Sequence, residues 1–395
     1  MLATKRLFNK RELSMQSFSG LTAISGIGMT EISRDSGTDP LNLALRASRE
    51  AIADADLSPG DIDGVLSYHL NDSCPVNQVS ERLGLDPGIW TNEIFGGGTQ
   101  SASILGDAAM LIESGTASNV LVFRALNGRS GKRMGQAALS MAGGEQQFTL
   151  PYGMAGPVNL FALSTTRWMH ESGATTDDLA AVVMQSRELA ADNERALVRT
   201  RLTREEYDKS PMIASPLRRV DCCQETDAAA ALVVSRTDNC PQARIGPRIR
   251  AAVRGGGPGA SAMDKAPSVS TLFTHHLREK LWETAGVIPS DIDVAMIYDA
   301  YSPVVLQQLE DLGFCEPGGA GSMFREGRTL PSGDLPVNPS GGLLSEGYVH
   351  GLNNVLEAVR QLRATAGVNQ VPSPSIALCT GFGGSYGSAL VLERS

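Results

Sequence analysis

Leu57-Ser58-Pro59-Gly60-Asp61-Ile62-Asp63 and Val287-Ile288-Pro289-Ser290-Asp291-Ile292-Asp293 carry the same signal twice. Each copy follows a helix-like run, 41–56 or 270–286, and leads into an apolar strand-like run. From Asp61 to Asp291 is 230 positions. A second echo joins Ala230-Ala231-Leu232-Val233-Val234 to Ser388-Ala389-Leu390-Val391-Leu392, and from Leu232 to Leu390 is only 158 positions. Repeated units are read before anything else because they set the architecture. The shortfall of 72 positions between the two offsets implies that the first copy holds an insertion of about that length which the second lacks.

Within each copy, short apolar runs alternate with helical runs of about 12 to 16 residues, the pattern of strands joined by crossover helices. The expected organisation is therefore a duplicated α/β chain. Its first half would span 18–245 with a loop domain inserted at about 127–220, and its second half 246–395. Two tandem α/β domains of unrelated type are the alternative, which the shared Asp-Ile-Asp and Ala-Leu-Val signals disfavour.

Composition bounds the function. At 395 residues the chain exceeds the roughly 250 to 300 residues one hydrophobic core serves, and 42 Gly with 20 Pro imply many tight turns. A formal charge of -9 argues against a nucleic-acid partner, whose phosphates call for a basic surface. No run approaches the ~18 apolar residues of a membrane span, and residues 1–16 lack a signal peptide's apolar stretch, so a cytoplasmic setting is expected. Lys5, Arg6, Lys10 and Arg11 at the start read as a basic tail. The six cysteines form no Cys-x-x-Cys pair and no metal-ligand spacing with the five histidines; reduced thiols and no metal are expected. Cys222-Cys223 reads as a packing pair. Gly255-Gly256-Gly257-Pro258-Gly259 lacks the following Lys-Ser/Thr of a phosphate loop and reads as a turn.

Three segments carry chemistry. The loop Asn338-Pro339-Ser340-Gly341-Gly342-Leu343-Leu344-Ser345-Glu346-Gly347-Tyr348-Val349-His350-Gly351 resembles the Asn-x-x-Gly-Gly…Gly-His-Pro-x-Gly loop of the thiolase superfamily, with Tyr348 at the family histidine. Tyr298-Asp299-Ala300-Tyr301 resembles its Asn-Glu-Ala-Phe segment, with Tyr298 at the polar residue. Cys379-Thr380-Gly381-Phe382-Gly383-Gly384-Ser385-Tyr386-Gly387 resembles the closing loop that carries the family's acid/base cysteine. The resemblance spans about 21–394. It implies two βαβαβαββ halves in a five-layered αβαβα arrangement, with a loop domain inserted in the first half.

The departure comes at the nucleophile. Where thiolases place a cysteine ahead of a central helix, this chain reads Phe95-Gly96-Gly97-Gly98-Thr99-Gln100-Ser101, and no cysteine occurs between Cys74 and Cys222. A thioester-forming thiolate is not available there. A lost cysteine combined with tyrosines on both remaining catalytic loops resembles the lipid-transfer-protein-type aldolases of bacterial steroid side-chain degradation. That resemblance implies retro-aldol cleavage of a β-hydroxyacyl-CoA thioester, with Tyr298 and Tyr348 sharing the proton work in an order left open. An unperturbed phenol, with pKa about 10, needs help to act as a base near neutral pH.

The same resemblance nominates Cys379, His350 and Gly98 as supporting positions. Arg124, Arg129 and Lys132 are nominated as CoA contacts by position alone. Asp299 and Glu346 read as structural or solvated. No bound cofactor is implied, CoA being part of the substrate. A homodimer through residues 91–115 is implied, as is a small OB-fold and zinc-ribbon partner protein. Two other functions stay open: an acyltransferase that recruits Cys379, and a non-catalytic acyl-CoA or lipid-binding scaffold.

Overall fold

The two Asp-Ile-Asp copies perform the same job in space. Asp61 accepts a hydrogen bond from the Ser58 N–H (2.7 Å) and Asp291 from the Ile288 N–H (2.9 Å), each closing a short 3-10 turn. Ile62 and Ile292 are buried. Asp63 then accepts from the N–H groups of Ser118 and Asn119 (2.8 Å each), while Asp293 accepts from those of Ser375 and Ile376 (2.7 and 2.9 Å). In both halves this carboxylate pins the start of a strand that runs parallel beside the one it leads into.

A computed structural model describes residues 18, 20–131, 133, 147–154, 156–239, 245–260, 263–382 and 384–395. The basic tail, Lys132 and much of the loop after Arg133 lie outside the described residues. The strands are β1 Thr22–Met29, β2 Gly64–His69, β3 Trp90–Phe95, β4 Asn119–Asn127, β5 Met212–Ala214, β6 Leu217–Arg218, β7 Asp227–Arg236, β8 Arg248–Gly256, β9 Val294–Met296, β10 Ile376–Gly381 and β11 Tyr386–Glu393. The helices are α1 Pro40–Asp54, α2 Val76–Leu83, α3 Ser103–Glu113, α4 Pro157–Ser172, α5 Thr176–Ala191, α6 Arg204–Lys209, α7 Phe273–Ala285, α8 Ser302–Asp311, α9 Ala320–Arg325, α10 Gly342–Ser345 and α11 Leu352–Leu362.

Nine strands run in the order β3-β2-β4-β7-β1-β8-β11-β10-β9. The run β2-β4-β7-β1 is mirrored by β9-β10-β11-β8, and the two runs meet at a single register pair, Ala23 with Arg248. β2 is parallel to β3 and β4, β9 is parallel to β10, and the remaining neighbours are antiparallel. The second half has no full counterpart of β3. Residues 336–338 take that place, bridging β9 at Ala295 and Val337.

Helices α3 and α11 touch strands of both halves, whereas α1 rests only on first-half strands and α7 chiefly on β8 and β11. The order is therefore outer helix, sheet, central helices, sheet, outer helix. The sequences agree: α11 is buried over nearly its whole length, and α3 packs Ala108, Ala109 and Gly106 where two sheets approach, as helices in the middle of a core must. Residues 128–226 intervene between β4 and β7, against 382–385 between β10 and β11. The longer segment holds α4, α5, α6 and the β5–β6 ribbon. Its helix α5 lies against α8, α9 and α10, and so reaches over the second half.

Candidate functional site

The segment after β9 is fixed from three sides. Asn338 binds both backbone groups of Ile297 with its side chain (2.8 Å each), the Tyr298 N–H donates to Thr380 Oγ1 (2.9 Å), and the Tyr298 carbonyl accepts from Gln308 Nε2 (3.0 Å). Asp299, fully buried, accepts from the N–H groups of Leu343 and Leu344 (2.9 and 3.1 Å) and so ties this segment to the loop that carries Tyr348. Burial raises the Asp299 carboxyl to about 7. Tyr348 is clamped in turn by Thr226, whose hydroxyl donates to its carbonyl (2.7 Å) and accepts from its N–H (3.1 Å).

These restraints bring the two phenols together. Tyr298 Oη donates to Tyr348 Oη at 2.8 Å, with the rings edge to face and the Tyr298 ring stacked on Phe382. Both side chains are buried, and burial pushes both phenols well above their ordinary range. Their neighbours then act in opposite directions. Tyr298 is raised further by the nearby Tyr348 and by the hydrogen bond it donates. For Tyr348, a nearby thiol, Cys223, adds to the rise, while the accepted hydrogen bond and the Arg124 charge favour its ionised form. Within the pair, the hydrogen bond from Tyr298 and the Arg124 charge both act toward a Tyr348 phenolate.

Behind Tyr348 lies a closed polar cluster. Arg124 on β4 has no exposed surface; it pairs with Asp72 (2.6 Å) and donates through Nε and Nη2 to His350 Nδ1 (3.1 and 2.9 Å). His350 meets the Tyr348 ring edge to face at 4.9 Å, and its carbonyl accepts from Tyr68 Oη (2.9 Å). Burial, with the Arg124 charge, drops the His350 imidazole to about 3. The ring is neutral near pH 7, with Nδ1 as the acceptor.

Tyr348, Tyr301, Cys222 and Cys223 line a cavity of about 860 Å³, whose walls also carry Arg34, Arg129, Arg133, Arg187 and Arg219 against Glu225. Among the described residues, five guanidiniums to one carboxylate make an electropositive cavity in a chain of charge -9. Pro157, Val158, Val198 and Ile213 add apolar wall.

The candidate residues fare differently. Tyr298 and Tyr348 meet as described. Gly98 touches the pair by leaving room, since a Cβ there would overlap the Tyr298 phenol. His350 is neither solvated nor aimed at a phosphate; it packs behind Tyr348. Cys379 is fully buried on β10, where burial alone pushes its thiol far up; the thiols that line the cavity are Cys222 and Cys223. The expected packing pair is thus only half buried, because Cys222 bridges to Tyr301 and both follow the chain along the cavity wall. Arg124, nominated for CoA, is corrected: its charge is spent on Asp72 and His350 inside the core. Arg129 does line the cavity, its backbone held by Asp227 (3.0 Å). Lys132 lies outside the described residues. Glu346 is buried beside Asn193 and Arg195, not solvated. Thr226, Cys223 and Asp72 were missed. The repeat that aligns β7 with β11 sets Cys223 and Thr226 opposite the Gly381 loop, a signal that nominates the first two; nothing local marks Asp72.

Comparison with known proteins bears on the family and the fold. A family model described as "Thiolase C-terminal domain-like" matches residues 261–393. The chain is 37% identical over 385 residues to the 17-hydroxy-3-oxo-4-pregnene-20-carboxyl-CoA lyase of Mycobacterium tuberculosis, covering 95% of this chain and 99% of the relative. It is 37% identical over 388 residues to the steroid side-chain-cleaving aldolase of Thermomonospora curvata, covering 94% and 98%. A solved structure described as "Ltp2-ChsH2(DUF35) aldolase" superposes with a TM-score of 0.87 at 34% identity, covering 95% of this chain and 98% of that one. Both the fold and these relatives lead to one conclusion: the chain belongs to the thiolase superfamily, in the family of the steroid side-chain-cleaving aldolases.

Proposed function

We propose that the chain cleaves the Cα–Cβ bond of a β-hydroxyacyl-CoA thioester with a steroid-like acyl group by a retro-aldol reaction. The observation that carries this reading is the 2.8 Å contact between Tyr298 and Tyr348 in place of a cysteine–histidine pair, with Tyr348 on the cavity wall. As phenolate, a form that burial disfavours and that the Tyr298 hydrogen bond and the Arg124 charge favour, Tyr348 takes the β-hydroxyl proton. As the C=O bond forms, the Cα–Cβ pair passes to the thioester enolate, and the proton now on Tyr348 returns to Cα to give the shorter acyl-CoA and a ketone or aldehyde. Tyr298 holds the phenolate by its hydrogen bond. Atoms and charge balance without a cofactor. The electropositive wall suits the phosphates of CoA, and the relatives' steroid substrates support a steroid tail here.

The test is incubation with a panel of β-hydroxyacyl-CoA esters that includes 17-hydroxy-3-oxo-4-pregnene-20-carboxyl-CoA, with mass analysis of the carbonyl and CoA products. Stoichiometric carbonyl and shorter acyl-CoA support the reading. Acyl transfer to a second CoA, or binding without turnover, favours the acyltransferase or the scaffold instead. Burial of Cys379 speaks against the first of these.

Assembly is part of the proposal. Strand β3 is an edge strand exposed along nearly its whole length, with Trp90 and Phe95 open to solvent at 50% and 65%. An apolar edge of this kind is normally covered, which supports a homodimer through 91–115. The name of the solved relative supports a DUF35-type partner of the expected OB-fold kind. Among the described residues no helix is long and apolar enough to cross a membrane. A cytoplasmic setting fits the free state of all five described cysteines.

A further inference from the structure

Among the described residues two arginines are at least nine-tenths buried, and they differ in one respect. Arg124 has its carboxylate, Asp72, at 2.6 Å. Arg187, on α5, has none: its Nε lacks any hydrogen-bond partner, and the charge that acts on it is that of Arg34. A guanidinium removed from water without a counter-charge is costly, and a second cation beside it adds to the cost.

Arg187 and Arg34 both line the cavity that holds Tyr348. Arg187 is also held in place. The neighbouring Ser186 hydroxyl bonds to the Gly341 carbonyl (2.6 Å) and to Ser345 Oγ (2.7 Å), fastening this turn of α5 to the loop that carries Tyr348. A fixed, largely buried guanidinium whose Nε meets no acceptor among the described residues is a prepared receptor for an anionic group.

We propose that Arg187, assisted by Arg34, is an anion subsite of the substrate cavity that takes a phosphate or carboxylate group of the ligand. The inference uses the aldolase reading only for the two sources of that group: the phosphates of CoA, or a carboxylate on the steroid-like part. Arg187 is a binding residue here and carries no step of the reaction.

Calorimetric titration of the full chain with coenzyme A, and separately with 3-oxo-4-androstene-17β-carboxylate, tests it in the wild type, Arg187→Gln, Arg187→Lys and Arg34→Gln. Arg187→Gln weakens at least one probe by about tenfold or more, with Arg187→Lys in between. Loss confined to coenzyme A assigns the subsite to phosphate, loss confined to the steroid carboxylate assigns it to the tail, and loss of both shows one subsite read by either group. Unchanged affinity for both probes in Arg187→Gln and Arg34→Gln, or no binding of either probe to the wild type, overturns the proposal. Thermal melting adds a readout that a purely structural arginine moves the other way. Without ligand, Arg187→Gln raises the melting temperature, since it removes an uncompensated buried charge; a lowered one together with unchanged affinity shows a packing role. Carbonyl release by the wild type is scored apart, so failure of the subsite and failure of the aldolase reading are told from each other.

Discussion

The phenol of Tyr298 occupies the space that a side chain at position 98 would need. A Cβ built on Gly98 falls inside the van der Waals surface of Tyr298 Oη and its ring carbons, and one on Gly351 would stand 2.6 Å from Tyr298 Cε2. The missing cysteine and the added tyrosine are thus one change of shape. The position on the turn before α3 at which the resemblance sets the thiolase cysteine meets a phenol reaching in from the segment after β9.

Gly98→Ala should therefore damage the site by overlap alone. A methyl cannot fit while the backbone of 96–100 is held by Gln100 and Ser101, so Tyr298 must move and its bond to Tyr348 is lost. Activity is expected to fall by about 10² or more with a lowered melting temperature. Adding Tyr298→Ala should restore much of the stability and none of the activity. If Gly98→Ala alone melts like the wild type, the shared-space account is wrong. Gly98→Cys is expected to give no thiolase activity, for this reason and because Tyr348 stands at the family histidine.

The two tyrosines should not be equivalent. Tyr348→Phe removes the base, and carbonyl release is expected to fall by about 10² or more at every pH. Tyr298→Phe removes only a donor to the phenolate, worth roughly tenfold to a hundredfold for a bond to a charged acceptor. Its rate should recover as pH rises, because the pKa of Tyr348 is pushed up when that donor is lost. Parallel pH–rate profiles in both variants would show that the roles are not divided in this way, and recovery at high pH in Tyr348→Phe but not in Tyr298→Phe would show that they are reversed.

His350 supplies a pH dependence of stability with a definite sign. Its folded pKa, about 3, lies below the ordinary value of 6.5, so the unfolded chain binds the extra proton between those limits. Its contribution is complete above pH 6.5 and is lost as pH falls toward 3, at about 1.4 kcal/mol per pH unit. His350→Asn keeps an acceptor for Arg124 and tolerates the left-handed backbone at φ 47, but cannot take up the proton. Denaturant melts from pH 6.5 to 4.5 should show the variant losing less stability than the wild type. Equal slopes would mean that His350 is not buried neutral.

Why the duplication was legible and half of the site was not is a matter of where the information sits. Asp61, Asp63, Asp291 and Asp293 bond to backbone groups that every such turn and strand start presents, so the same letters recur wherever the same geometry does. Tyr348 could be read because it stands on a loop whose glycines fix the backbone, and Tyr298 because it follows the second Asp-Ile-Asp strand. Arg124 could not. The letters around it describe an interior strand, and whether its guanidinium faces a phosphate or a carboxylate depends on Asp72, 52 positions earlier. The layering needed the same kind of knowledge: that α3 and α11 sit between the sheets follows from how the halves meet, which no stretch of either half encodes.

The open edge at β3 makes a prediction about assembly. Trp90 and Phe95 are exposed on a strand whose outer hydrogen-bonding groups have no neighbouring strand in the sheet, with Met110 of α3 also exposed at 56%. Light scattering at micromolar concentration should give a dimer, and Thr91→Pro, whose N–H faces the open side because those of Trp90 and Gly96 donate inward to Asp63 and His69, should give a monomer of unchanged circular dichroism. A wild-type monomer would require another cover for this edge.

A second exposed apolar group lies on the inserted segment. Leu163 of α4 and Met212 and Ile213 of β5 are about half exposed on elements that pack together, Phe148 and Tyr152 are exposed at 71% and 85%, and Ile213 also lines the cavity. Patches of this size rimmed by charge are commonly contact surfaces. A partner seated here would close the cavity beside Tyr348 and supply the orientation that a covalent thioester link supplies in a cysteine-bearing thiolase, a contribution of several kcal/mol in oriented systems. Leu163→Glu combined with Met212→Glu, neither of which lines the cavity, should leave the fold intact and abolish co-elution with a DUF35-type protein. It should also reduce turnover measured with that protein present while leaving turnover of the chain alone unchanged. Co-elution that survives both charges would move the partner to another face; if the chain alone reaches full rate and the added protein changes neither rate nor melting temperature, the partnership itself is refuted.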